Sequence, residues 1–216
     1  MRLPGTEPIR YEAMLLHRIQ QHFVDGADLQ FQCARAVGPA LEAAAAVLFA
    51  GLTGGGKVLV WGSGVSAALA QSFAAQLVGR FERERPELAA LALGTNAAIV
   101  TGPMGAEASA WPMVRQLRAL GLPGDVLVLI VAGAPGADVL AALAAAHERD
   151  LSVVALTGAR PGEMLTALRE SDVLVSVPTE RAARVHEAHL VALHALCDAL
   201  DAQLLGDEQE TETVEP

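Results

Sequence analysis

One stretch constrains this chain more than any other: Lys57-Val-Leu-Val-Trp-Gly-Ser-Gly-Val-Ser-Ala67, which runs straight on to Gly79-Arg80. A short continuous apolar run closed by glycine reads as a buried strand, and the Ala/Leu-rich residues after it read as a helix. Gly62 and Gly64 remove Cβ where the chain must turn sharply and where a ligand would approach the backbone. A strand, a tight turn and a helix in that order aim free backbone N–H groups at an anion. Ser63 and Ser66 add hydroxyls. The expectation is a phosphate-type site at the C-terminal end of one strand, with Gly62, Ser63, Gly64 and Ser66 binding the ligand.

The rest of the chain repeats this grammar. Short apolar runs at Lys57–Trp61, Ala89–Leu93, Asp125–Val131, Leu151–Thr157 and Asp172–Val177 alternate with helical stretches at Val65–Arg83, Ala106–Leu120, Ala137–Arg149 and Gly162–Arg169. Alternation of this kind predicts an α/β fold, a five-stranded parallel sheet between two layers of helices. Two helical segments, Ile9–Ala34 and Pro39–Leu52, precede the sheet, and a long helix over Glu180–Leu205 closes it. Met14, Leu15, Ile19 and Phe23 fall at helical spacing. That stripe either packs on the domain or forms an oligomer interface, and two leading helices exceed what one sheet needs as cover. The expected organisation is residues 1–54 as oligomerisation helices, 55–205 as the α/β domain and 206–216 as an acidic, disordered tail.

Bulk properties exclude several functions. A net charge of −10, with five acidic residues after Gly206, makes the chain a poor nonspecific DNA binder. No apolar run approaches the roughly 20 uninterrupted residues of a membrane span, and the N-terminus lacks the regions of a signal peptide. Cys33 and Cys197 are two and far apart, which suits free thiols in a reducing cytoplasm.

The glycine loop also fits the dinucleotide pattern G-x-G-x-x-A, a weak match alone. The acidic residue that should follow about 20 positions on, to hold a ribose, is missing. Gly54-Gly-Gly-Lys57 is followed by Val58 where a phosphate-binding P-loop needs Ser or Thr. Lys57-Val-Leu-Val-Trp-Gly-Ser-Gly-x-Ser, Phe73-Ala-Ala, Gly79-Arg-Phe-Glu-x-Glu-Arg-Pro86, Gly124-Asp-Val-Leu127, Val154-Ala-Leu-Thr-Gly158 and Ala183-Arg-Val-His-Glu-Ala-His189 resemble the SIS (sugar isomerase) domain family. The resemblance spans nearly the whole chain. It points to the branch holding phosphoheptose isomerase and the protein DiaA, which binds the replication initiator DnaA.

Against that family, the parts needed for isomerising a phosphosugar look depleted. The resemblance implies a Ser/Thr-rich phosphate loop after the third strand, but Val131-Ala-Gly-Ala-Pro-Gly136 holds no hydroxyl, and Pro135 has no N–H. The family's glutamate base is Gln76 here, which is neutral and non-basic. Its metal-ligand histidine is Ser72, its metal-ligand glutamine is His186, and its second acid/base histidine is His194. Its Asn-Asp pair after the second strand becomes Gly105-Ala106. His186, His189 and His194, with Cys197, could assemble a zinc site, but residues spread along one helix do not make a tetrahedron. The bland alternative, hydrogen-bonded histidines lining an idle pocket, is preferred.

Arg80, Arg83 and Arg85, alternating with Glu82 and Glu84, read as a solvated helix end. Leu204 and Leu205 match a hydrophobic pair that the resemblance links to partner binding; otherwise they cap the last helix. The resulting expectation is a catalytically degenerate SIS protein, a regulatory module that binds an initiator in a homo-oligomer, a tetramer by resemblance. No catalytic residue is then expected, Gln76 and His194 are vestiges, and the ligand positions are Gly62, Ser63, Gly64, Ser66, His186 and His194. Neither cofactor nor metal is expected. The alternatives are a working phosphoheptose isomerase and a sensor of a carbohydrate derivative.

Overall fold

β1 (Val58–Gly62) is buried along its whole length, as a central parallel strand covered on both faces must be. The computed structural model describes residues 8–102 and 111–206, with side chains in the first helix described from Ala13 onward. β1 pairs in parallel with β2 (Ala90–Ala92), Val58 opposite Ala90, and with β3 (Val126–Val131), Val58 opposite Val126. β4 (Ser152–Thr157) and β5 (Val173–Ser176) extend the sheet on the β3 side, giving the order β2-β1-β3-β4-β5.

Two helices lead, α1 (Pro8–Ala36) and α2 (Gly38–Thr53), and α3 (Ser66–Val78) follows β1. α4 (Ala97–Thr101), α5 (Pro112–Leu120), α6 (Ala137–Glu148) and α7 (Met164–Ala167) lie between the later strands, and α8 (Ala182–Leu205) comes last. Strand side chains alternate between the two faces. Val126, Val128, Ile130, Val154 and Leu156 pack with residues of α1, α2, α3 and α8. Leu127, Leu129, Val131, Val153 and Ala155 pack with residues of α5, α6 and α7. The fold is the expected three-layer α/β sandwich on a five-stranded parallel sheet.

Several boundaries differ from the sequence reading, each for a local reason. Asn96 caps α4, its Oδ1 accepting from the amides of Ala98 and Ile99, and no helical run announces so short an element. Residues 106–110 of the stretch expected as Ala106–Leu120, the pair Gly105-Ala106 and the tail beyond Gly206 lie outside the described residues. α1 and α2 meet at a bend of 66°, where Gly38-Pro39 begins a new helix. Met14, Leu15, Ile19 and Phe23 are 40–75% exposed, so the domain does not cover this stripe. α8 is long and apolar enough to cross a bilayer by length and composition alone. It serves instead as a core helix, with Leu193, Leu196, Cys197 and Leu200 buried.

The largest correction concerns the end of α3. The helix stops at Val78, not Arg83, and the charged segment after it is not a solvated helix end. Arg85 folds back beneath α3, its side chain 0% exposed. Its guanidinium donates to the carbonyls of Gln76 at 2.7 Å and Leu77 at 2.9 Å, and its Nε to Asp201 Oδ1 at 2.6 Å. A buried cation thus satisfies carbonyls that a helix end leaves without donors, and a buried carboxylate on α8 balances its charge.

Removing one partner of such a pair strands the other in a dry interior, a loss of about 3–5 kcal/mol. Arg85→Ala is expected to lower unfolding free energy by that amount in a urea titration. A loss below about 1 kcal/mol would contradict the buried-pair account.

Candidate active site

In a sheet of order β2-β1-β3-β4-β5 the chain leaves β1 toward β2 and returns on the other side at β3. The C-terminal ends of β1 and β3 therefore flank a crevice that no connection covers, the switch point where ligands of such sheets bind. The glycine turn follows β1 there and Ala132–Gly136 follows β3. The amide of Ser63 donates to Ile130 O at 3.1 Å and ties the two loops together.

The turn is built more tightly than an anion cradle requires. A Cβ on Gly62 would fall onto the carbonyl group of Ser66, so glycine is obligatory there for the backbone's sake. Gly64 has φ +58°, and a Cβ there would meet open space, so its need is conformational. The amides of Ser66 and Ala67 donate to Ser63 O and Gly64 O. Within the turn, the Gly64 and Val65 amides at the tip are left without an acceptor among the described residues. Ser63 is half-buried, whereas Ser66 is fully buried and its Oγ has no partner.

Across the switch point, α6 begins at Gly136 without a side-chain cap. A Cβ on Gly136 would come 2.5 Å from Asp138 Oδ1, so the helix's own carboxylate lies over its first turn. Beside this loop a cleft of about 220 Å³ is lined by Ala132, Gly133, Ala134, Gly158, Ala159, Arg160 and Glu180. No hydroxyl lines it. Arg160 and Glu180 pair across it at 2.7 Å.

The other predicted residues gather along the seam between α3 and α8. Gln76 Oε1 accepts from the Cys197 thiol at 3.6 Å, and the His194 ring lies 5.2 Å from that of Phe81. Burial, reinforced by the Asp201 carboxylate, pushes the Cys197 thiol up to about 12, so it stays protonated at physiological pH. His189 is buried and its Nε2 meets Thr157 O at 3.2 Å. Burial first, then the charge of His186, lowers it to about 4 against that hydrogen bond, so it is neutral at physiological pH. His186 is half-buried, and Leu204 and Leu205 are exposed.

The expected positions are spread along two helices. Ser66 and Gln76 stand ten residues apart on α3, about 15 Å. His186 and His194 stand eight apart on α8, about 12 Å. Among the described residues no three His, Cys, Asp or Glu side chains converge. The two metal-ligand positions implied by the family resemblance hold Ser72, a neutral hydroxyl, and His186. That donor set does not fit a transition metal, and no step is routed through one. The sequence reading put Arg85 in a solvated helix end and gave no role to Asp201, Phe81, Arg160 or Glu180, although Phe81 and Arg85 stood inside a motif already noted.

Comparison with known proteins matches this geometry to a family. The SIS domain family matches residues 23–158. A phosphoheptose isomerase of Methylibium petroleiphilum is 48% identical over 198 residues, covering 92% of this chain and 99% of the relative. One of Thiobacillus denitrificans is 45% identical over 197 residues, covering 91% of this chain and all of the relative. Among solved structures, the phosphoheptose isomerase GmhA from Neisseria gonorrhoeae is 37% identical, with a TM-score of 0.79, covering 87% of this chain and 99% of that one. The chain belongs to the SIS domain family. These relatives also overturn the expectation of a degenerate, initiator-binding module: proteins alike from end to end are named as isomerases, and the reading held as the alternative takes its place.

His189 supplies a pH test. Its folded-state value lies below the unfolded value near 6.5, so the unfolded chain takes up the proton first and stability falls as pH drops from about 6.5 toward 4. At pH 5 the loss is about 2 kcal/mol. His189→Gln, which keeps a donor for Thr157, is expected to flatten that part of a stability-versus-pH curve. An unchanged slope would show that other groups produce it.

Proposed function

We propose that this chain is a sugar-phosphate isomerase of the phosphoheptose type, interconverting ketose and aldose forms of a seven-carbon sugar phosphate such as sedoheptulose 7-phosphate. The observation that carries the reading is the 48% identity to a phosphoheptose isomerase over 99% of that relative's length. The switch-point crevice supports it, since sheets of this strand order bind ligands there.

Isomerisation removes a proton from the carbon beside the carbonyl, passes through an enediol, and returns a proton to the neighbouring carbon while the oxygens exchange theirs. Imidazole suits this proton traffic. His194 takes and returns the carbon-bound proton. Gln76 carries no basicity and orients the sugar oxygens by hydrogen bonding. Arg85, through its bond to the Gln76 carbonyl, fixes where that amide stands.

The turn and the seam lie about 15 Å apart, so one ligand meets both only if a second copy brings its seam to the first copy's turn. The uncovered stripe on α1 is the surface for that contact, and the homo-oligomer, a tetramer by family resemblance, is part of the proposal. The free, buried thiols of Cys33 and Cys197 suit work in the cytoplasm.

A positioned general base is worth about 10²–10⁴-fold. Wild-type turnover of sedoheptulose 7-phosphate is therefore expected to be slow, to rise about 10²-fold or more in Gln76→Glu, and to vanish in His194→Ala. Absence of turnover in both wild type and Gln76→Glu would sink the reading. Separately, Ile19→Asp/Phe23→Asp is expected to convert an oligomer into monomers by light scattering; a monomeric wild type would remove the composite site.

A further inference from the structure

The cleft at the ends of β3 and β4 has a tightly packed floor at Gly158. A Cβ on Gly158 would lie 3.0 Å from Thr179 O, 3.1 Å from Val185 Cγ2 and 3.2 Å from Ala132 O. Three chain segments thus close on one glycine. Above it the lining is alanine and glycine, apart from Arg160 and Glu180. A phosphate monoester entering here finds no hydroxyl, and the nearby start of α6 already faces Asp138. The cation lining the cleft is Arg160.

Arg160 is held by Glu180 through Nε to Oε1 at 2.7 Å, with the two side chains 76% and 55% exposed. An ion pair so open to water is worth little and is exchanged cheaply. A phosphate dianion offers a guanidinium two parallel, charge-assisted hydrogen bonds, which a solvated pair held through a single Nε–H does not match. We propose that Arg160 is the phosphate-holding residue of this chain, taking over from the absent hydroxyls, and that Glu180 is the competing anion it must release. Glu180 then acts as a built-in selectivity element: neutral sugars gain nothing from displacing it, and phosphorylated ones do. The identity of the sugar rests on the isomerase reading; the anion site does not.

Titration calorimetry at low salt with inorganic phosphate, sedoheptulose 7-phosphate and unphosphorylated sedoheptulose tests this on wild type, Arg160→Ala and Glu180→Gln. Arg160→Ala is expected to weaken both phosphates by about 10–100-fold, in keeping with a lost charge-assisted bond. Glu180→Gln is expected to tighten both several-fold, and neither change should affect the unphosphorylated sugar. Both positions are exposed, so melting temperatures of the free proteins should match wild type, which separates lost binding from lost fold. Phosphate affinities unchanged in Arg160→Ala, or no phosphate binding by wild type, would overturn the assignment. Phosphate binding that needs Arg160 in a protein without turnover would remove the isomerase reading alone. Turnover with an unaltered KM in Arg160→Ala would remove the role of Arg160 alone.

Discussion

The carbonyl of Ser66 occupies the space that a side chain on residue 62 would need, and most of this molecule's layout follows from that contact. With no Cβ at Gly62, β1 can end and α3 begin within a few residues. The start of α3 then lies against the end of the strand, and the Ser63 amide is left to reach Ile130 on β3. The turn thereby fastens the two strands whose divergence opens the crevice. Its glycines are first a condition of the fold. The surface that the turn offers outward is its exposed Gly64–Val65 tip.

A second constraint acts at the other end of α3. Gln76, where the family resemblance places a catalytic carboxylate, lies in the last turn of the helix, and Arg85 holds that turn by its carbonyls. Arg85 is in turn fixed by Asp201 on α8, the helix that carries His194 and Cys197. The seam is therefore rigid because one buried cation links the helix end, the following loop and the final helix. A glutamine there keeps the shape of a carboxylate and its hydrogen bonding while losing its basicity, so the substitution alters the chemistry of the seam more than its architecture.

What could be read from the sequence follows from what is local. The glycine turn and the five strands are encoded in adjacent residues, and their positions were legible to within a residue or two. The end of α3 was not. Gly79-Arg-Phe-Glu-Arg-Glu-Arg-Pro86 has the charge alternation of an exposed helix, whereas α3 closes at Gly79 and Arg85 turns back to Asp201, 116 residues away. The site split along the same line. The resemblance gave Gln76 and His194 as vestiges and set His194 with the glycine turn among the ligand positions; in the fold Gln76 lies on α3 and His194 on α8, either side of the seam that Gln76 bridges to Cys197. Ser66 and Gln76, near the two ends of α3, stand about 15 Å apart by its rise of about 1.5 Å per residue.

That separation also explains how the apolar stripe on α1 relates to chemistry. In isolation, Ile19 and Phe23 look like a solubility defect, large side chains more than half exposed on a helix with room for polar residues. In the proposed composite site they gain a role, as the surface through which another copy would present the half that one chain lacks. Depleted first contacts, such as the hydroxyl-free loop after β3 and the neutral Gln76, are then less damaging than they look in a single chain. In the proposed oligomer a neighbour would contribute part of each binding site, and a charge such as Arg160 would stand in for the lost cradle.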